Sequence, residues 1–310
     1  MRRFNKFERP LRVRMDARRS NAGGARAVIV VSSHVVRGSV GNRASVFALE
    51  TLGHPVWAVP TVILPWHPGH GRATRIVPPA ADFAALMRDL ENAPWLGEVA
   101  AVLSGYLGGA EQAEAIASLV DAVKRKNSNA VYVCDPIMGD KGGLYVPEAT
   151  AAAMRDVLLP IADLATPNLY ELAWIAGRDL GTLKDAMAAA AEAAPPAMLV
   201  TSSPASVPGS IANLLLTPYE AYLAEHRAVE NPTKGPGDLT AALYTAWILR
   251  GLAPGEALRR ATASVFEALA RAAKRGADEL MLETDASSLS TPMAMVKLRE
   301  VPLPGHNLRA

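Results

Sequence analysis

Two rhythms of apolar and polar residues run along this chain. Short β-branched runs, such as Val28-Ile-Val-Val31, recur between longer stretches in which apolar residues return every three or four positions. The first rhythm reads as strands buried on both faces, the second as helices burying one side. The pattern predicts strands over 27–31, 56–64, 99–103, 130–134, 164–166 and 197–200. Helices are predicted over 41–52, 82–92, 111–126, 148–159, from just after Pro167 to Gly177, and over 182–194, 238–249 and 254–274. Residues 213–216 and 221–228 read as a strand pair. Gly53 and Gly177 fall where helices stop, and the 148–159 helix opens just after Pro147, as expected of residues that end or begin a helix.

Strands that alternate with helices of about 10–15 residues imply a mostly parallel sheet with helices on both faces. No internal repeat or low-complexity linker interrupts residues 27–310, which read as one domain. The strand ends share a chemical character. Ser32, Ser33 and His34 follow the first run, Ser104 and Gly105 the third, and Asp135, Asn168, Thr201 and Ser202 the later ones. Parallel strands would bring these polar ends to one rim, where ligands bind in open α/β sheets. Each of them is also an ordinary loop or helix-cap residue.

Composition narrows the classes. Half of the 310 residues are hydrophobic, 20% are charged and 5% aromatic, which excludes disorder of the whole chain. A single cysteine excludes an intrachain disulfide. Cys134 lies inside an apolar run and reads as a core residue. No apolar run approaches the roughly 18–20 residues of a membrane span, so a soluble protein without membrane contact is expected. The net charge of +2 conceals a division: residues 1–26 carry nine basic and two acidic residues, whereas the remainder carries 23 and 28. The basic segment has no apolar signal core and reads as a poorly ordered extension, with Met15 as an alternative start. The acidic body gives no support to nucleic-acid binding.

The strongest local signal is Lys234-Gly-Pro-Gly-Asp238, directly before a predicted helix. Glycines at a helix N-terminus let the backbone approach an anion, and unpaired amides favour phosphate there. Asp238 then becomes a candidate base for a hydroxyl attacking a phosphoryl group, or simply an N-cap. Neither a P-loop nor a dinucleotide-binding glycine fingerprint occurs. His67 and His70 lie too near one turn, without a second ligand pair, for zinc.

Taken together and in order, several segments resemble the pyridoxal kinases of the ribokinase superfamily, from about residue 27 to about 274. They are Ser33-His-Val-Val-Arg-Gly-Ser-Val-Gly-Asn-Arg43, Thr61-Val62 through His67, Ser104-Gly-Tyr106, Cys134-Asp-Pro-Ile-Met-Gly-Asp140, Thr166-Pro-Asn-Leu-Tyr-Glu171, Val200-Thr-Ser-Ser203 and Gly235-Pro-Gly-Asp238. The resemblance implies a three-layer α/β/α sandwich and ATP-dependent, Mg²⁺-assisted phosphorylation of the 5′-hydroxymethyl group of pyridoxal. By it, Asp238 is the base, and the amides around Gly235 and Gly237 stabilise the transferring phosphoryl group. Ser33, Val40, Val62, His67 and Tyr106 would hold the pyridine ring. Asn168, Thr201, Ser202 and Tyr145 would meet the nucleotide, and residues 141–145 would form a mobile flap. Asp135, Asp140 and Glu171 would organise Mg²⁺, directly or through water. A cytoplasmic homodimer is also implied.

Two residues depart from the family pattern. Pro236 stands where a small residue with an N–H is usual, which implies reduced turnover, and Pro68 stands where Thr is common. The alternatives are a hydroxymethylpyrimidine kinase of the same superfamily and a non-catalytic sensor or carrier of pyridoxal phosphate.

Overall fold

A computed structural model of the chain describes residues 26–304. The basic extension, read as disordered, therefore lies almost wholly outside the described residues. The elements in chain order are β1 (Ala27–Val35), α1 (Asn42–Thr51), β2 (Val56–Leu64), α2 (Ala80–Glu91), β3 (Val99–Ser104), α3 (Gln112–Lys126), β4 (Val131–Cys134), β5 (Gly139–Asp140) and β6 (Gly143–Leu144). They continue with α4 (Glu148–Ala153), β7 (Leu164–Ala165), α5 (Leu169–Ala176), α6 (Leu183–Glu192), β8 (Ala197–Pro204), β9 (Ser210–Leu216), β10 (Ala221–Arg227), α7 (Pro236–Leu249), α8 (Pro254–Arg275), α9 (Ala286–Ser290) and β11 (Lys297–Glu300).

Nine strands form one sheet in the order β11-β10-β9-β8-β7-β4-β3-β1-β2. Pairing is parallel from β2 through β8, and antiparallel among β8, β9, β10 and β11. Alternate residues of β1 serve opposite cores: Ile29 and Val31 pack with Phe83, Met87 and Ile116, while Val28 and Val30 pack with Leu49, Leu239 and Leu243. Side chains alternate across a strand, so a run apolar at every position must be covered on both sides. This gives the expected three layers, with α1, α7 and α8 on one face and α2 to α6 on the other.

The structure corrects the sequence reading in five places. The helix expected over 148–159 is α-helical only to Ala153, then passes through a π turn (Met154–Leu158) and a 3₁₀ turn (Leu159–Ile161). Pro160 lacks an N–H and its ring crowds the preceding turn, so the regular ladder cannot continue. β8 runs on through its polar tail to Pro204, with a register shift between Val200 and Ser203. The edge strand β11 was missed because its Lys-Leu-Arg-Glu sequence has the polar look of a loop, although charge is usual on an edge. Finally, Gly139–Asp140 and Gly143–Leu144 pair as a small hairpin, and α9 is too short to show a period.

Leu243 is fully buried between the sheet and its neighbouring helices. Leu243→Ala should cost about 2–5 kcal/mol of folding stability, read as a lowered denaturant midpoint at unchanged m-value; a loss within error would contradict this packing.

Candidate active site

The parallel pairing of β1, β3, β4, β7 and β8 sends their carboxyl ends to one rim. A cavity of about 810 Å³ opens there, and every residue to which the resemblance assigns a role by name, except Val62, lines it. Val62 is fully buried and packs with Val35, Val40 and Leu64 beside Tyr106. It backs the wall without reaching the cavity.

At one end stand Ser33, Val40, His67 and Tyr106. β1 shifts register against β2 between Ser32 and His34, the kind of local bulge that re-aims a side chain. Ser32 Oγ accepts the Tyr106 N–H at 3.1 Å, and Thr61 Oγ1 donates to the Tyr106 carbonyl at 2.6 Å. The Tyr106 backbone is thus fixed from two strands. His67 Nδ1 accepts the Gly69 N–H at 2.9 Å, which leaves the ring proton on Nε2. Burial, and then the charge of Lys234, push His67 below the ordinary histidine range, so it presents a neutral imidazole. Pro68 is explained locally: it occupies the first turn of a 3₁₀ helix (Pro68–His70) capped by His67.

The centre is acidic. Asp135 is buried, and Thr166 Oγ1 donates to its Oδ1 at 2.8 Å. Burial first, and then Asp238 and Glu171, hold the Asp135 carboxyl well above its usual range. Glu171 is pushed up to about 8 by burial, opposed by backbone donors. Its Oε1 accepts the Met138 N–H at 3.0 Å and the Gly139 N–H at 3.4 Å, and its Oε2 accepts the Asn168 N–H at 2.8 Å. Asp140 is exposed and accepts the Gly142 N–H at 2.8 Å, so it also initiates the hairpin turn.

The set Asp135, Asp140 and Glu171 therefore does not converge into a metal cage. Among the described residues no group of three His, Cys, Asp or Glu side chains is arranged to hold an ion. The reason is that Glu171 is occupied with backbone amides and Asp140 with its own turn. The Asp135 and Glu171 carboxyls, both raised by burial, nevertheless suit a hard cation that keeps most of its ligands from water and phosphate, as Mg²⁺ does.

Asp238 lies in the first turn of α7. Loss of solvation pushes its carboxyl up to about 6, while the Gly41 N–H and its own N–H hold it down. Gly235 is the left-handed N-cap at φ 95°, and a side chain there would collide with the Ser39 carbonyl. Pro236 takes the first helical position, where its missing N–H breaks no helical bond. The Gly237 amide, one of the four that a helix leaves unpaired, lies beside it on the cavity wall.

At the other end are Thr201, Ser202 and Tyr145, with an apolar floor of Ile211, Val229, Val265 and Leu269. Ser202 adopts φ 56°, an unfavourable conformation for a residue with a side chain that recurs at binding sites. Asn168 caps α5: its Oδ1 accepts the Glu171 N–H at 2.9 Å and its Nδ2 donates to the Gly139 carbonyl at 2.8 Å, which leaves one N–H for a ligand. The half-exposed Tyr145 follows the hairpin. Cys134 is buried and its thiol is pushed up to about 12, so it is a core residue as expected.

Sequence reasoning assigned no role to Gly41, Thr166, Lys234 or the apolar floor. Gly41 carried a signal, a glycine just before a helix; the floor residues carried none, being indistinguishable from core.

The family profile described as phosphomethylpyrimidine kinase matches residues 83–283. Pyridoxal kinase PdxY of Rubrobacter xylanophilus is 37% identical over 286 residues, covering 90% of this chain and 99% of its own length. The protein of the same name from Corynebacterium diphtheriae is 33% identical over 280 residues, covering 88% and 99%. Pyridoxal kinase from Leishmania donovani, solved in complex with ADP and pyridoxamine, aligns with a TM-score of 0.84 at 27% identity, covering 89% of this chain and all of that one.

The Asp238 carboxyl should titrate near 6 by carbon NMR of the free protein. Gly41→Ala keeps the amide but not its place, because a β-carbon at φ 55° would collide with Ser33. The N–H that favours the charged form is displaced, and that value should move upward, whereas a downward shift would contradict the hydrogen bond.

Proposed function

The chain belongs to the pyridoxal kinase family and is an ATP-dependent kinase; we propose that it acts on the 5′-hydroxymethyl group of pyridoxal, with pyridoxine and pyridoxamine as further substrates, through the residues of this cavity. The observation that carries the residue assignment is Asp238. Its carboxylate stands at a helix start between the ring-side and nucleotide-side ends of the cavity, and its pKa of about 6 leaves it ionised yet basic at neutral pH.

In this reading the substrate hydroxyl loses its proton to Asp238 as its oxygen attacks the γ-phosphorus. The new O–P bond forms while the bond to the ADP oxygen breaks, and Asp238 later releases the proton to water. The Gly237 amide and the positive end of α7 face the negative charge carried through transfer. His67 Nε2–H and Ser33 orient the pyridine ring, and Val40 and Tyr106 pack beside it. Thr201, Ser202 and the remaining Asn168 N–H meet phosphates, while Ile211, Val229, Val265 and Leu269 accept the flat apolar face of the base. Asp135 and Asp140, with Glu171 through water, would hold Mg²⁺. When bound, Mg²⁺ supplies neutralisation of the polyphosphate charge. Tyr145 and the hairpin would cover the nucleotide and exclude water that would otherwise hydrolyse it. The homodimer and cytoplasmic setting implied by the resemblance remain part of this reading. No helix of the described residues is long and apolar enough to cross a membrane.

The family profile's description favours one alternative substrate, hydroxymethylpyrimidine. Phosphotransfer from ATP and Mg²⁺ should favour the B6 vitamers over the pyrimidine; the reverse preference would transfer the assignment, and binding without phosphorylation would indicate a sensor. Asp238→Asn should lower kcat by about 10²–10⁴-fold with little change in Tm, because Asn has the same shape and its Oδ1 still accepts the Gly41 N–H. Protonation of a base at about 6 removes its activity below that pH, so kcat/KM of the unmodified enzyme should fall on the acid side. Retained turnover in the variant would remove Asp238 from this role. Pro236→Ala restores one amide at the anion site and should raise kcat severalfold; an unchanged kcat would show that this amide is dispensable.

A further inference from the structure

Glu279 does not line the cavity, and the family resemblance assigns it nothing. It is 7% exposed, and its carboxylate reaches two separate loops of the cavity's ring-side end. Oε1 accepts the His70 Nε2–H at 2.8 Å, and Oε2 accepts the Ser39 N–H at 3.3 Å. Arg37 Nη1 stands 3.8 Å from Oε1. The backbone around Glu279 also bridges to Lys234, immediately before the glycine turn.

One residue thus joins the loops carrying Val40 and His67 through its carboxylate and, through its backbone, Lys234 just before Gly235. The contact is close enough to dictate sequence. Gly38 has φ 110°, and a β-carbon there would stand 2.6 Å from Glu279 Oε1. Ser39, held by Glu279, in turn presses its carbonyl against the space a side chain at Gly235 would need.

We propose that Glu279 is a positioning residue that sets affinity for the vitamin ring by tying His70 and Ser39 together. It holds His67, three residues before its partner, at the wall without touching substrate. The neighbouring Arg37–Asp278 pair is 2.9 Å apart but has 56% and 57% side-chain exposure, so solvent screens it and it carries little of this tie.

This inference rests on the reading of the cavity as a vitamin B6 kinase site. Glu279→Gln should raise KM for pyridoxal roughly tenfold, the scale of one lost hydrogen bond to a charged group, with kcat and KM for ATP within about twofold. His70→Ala removes the more exposed partner and should act in the same direction, and the double variant should be no worse than either single one. Asp278→Asn is the control and should leave both KM values unchanged. If Glu279→Gln does not fold, His70→Ala decides the matter. Unchanged KM for pyridoxal, or a matching rise in KM for ATP, overturns the proposal. Pyridoxal binding is also measured by calorimetry without ATP. Absent turnover in the unmodified enzyme then counts against the kinase reading, while weakened binding in the variants still supports Glu279.

Discussion

Electrostatic crowding at the carboxyl rim governs this structure. Three acids from separate elements, Asp135, Glu171 and Asp238, stand close enough that Asp238 raises the pKa of both others. Isolated buried charge is expensive, and such groups are retained only with hydrogen bonds or counter-charge. Here backbone amides supply much of the support: Met138, Gly139 and Asn168 for Glu171, and Gly41 with its own N–H for Asp238. That requirement explains glycines as much as acids. A β-carbon at Gly41 would collide with Ser33, and one at Gly139 would meet Tyr170 and the Gly143 carbonyl. At these two positions the close backbone approach is open only to glycine.

The acids also remain short of compensation. Glu171 at about 8 and Asp238 at about 6 stay above their ordinary ranges despite their donors. For the free protein, the penalty for ionising them is absent below their unfolded pKa values near 4 and grows as pH rises through about 6 and then 8. In the proposed reading, the cation that accompanies a polyphosphate would offset that penalty and complete an electrostatic arrangement that the chain leaves unfinished. The ring-side end is built differently. There a neutral His67, fixed by a single backbone donor, offers direction more than charge.

The alternation of strands and helices was legible because burial on two faces leaves continuous apolar runs, as in β1. The rim was legible because parallel strands that end in Ser, Asp, Asn or Thr can only gather those ends together. Proximity between distant segments was not. Gly41 opened a predicted helix, Val265 and Leu269 fell inside another, and Glu279 belonged to no predicted element or motif. Val62 differs the other way: it is a motif residue that packs among Val35, Val40 and Leu64 behind the wall. Pro160 could be read as an obstacle to a helix, but not as a cause of a π turn. The charged β11 shows that an edge strand needs only backbone pairing on one side, which leaves its side chains free of any apolar pattern.

The Gly41 hydrogen bond to Asp238 has a bearing on how the protein comes into being. The donor belongs to the first loop made and the acceptor to one of the last helices, with the Glu279 tie and β11 later still. During synthesis the sheet's parallel half can assemble while Asp238 has yet to leave the ribosome. In the proposed reading, catalytic competence would be a closing event of folding. A shortened product that stops after α8 would keep every side chain assigned to the chemistry and still lack the carboxylate that joins its ring-side loops.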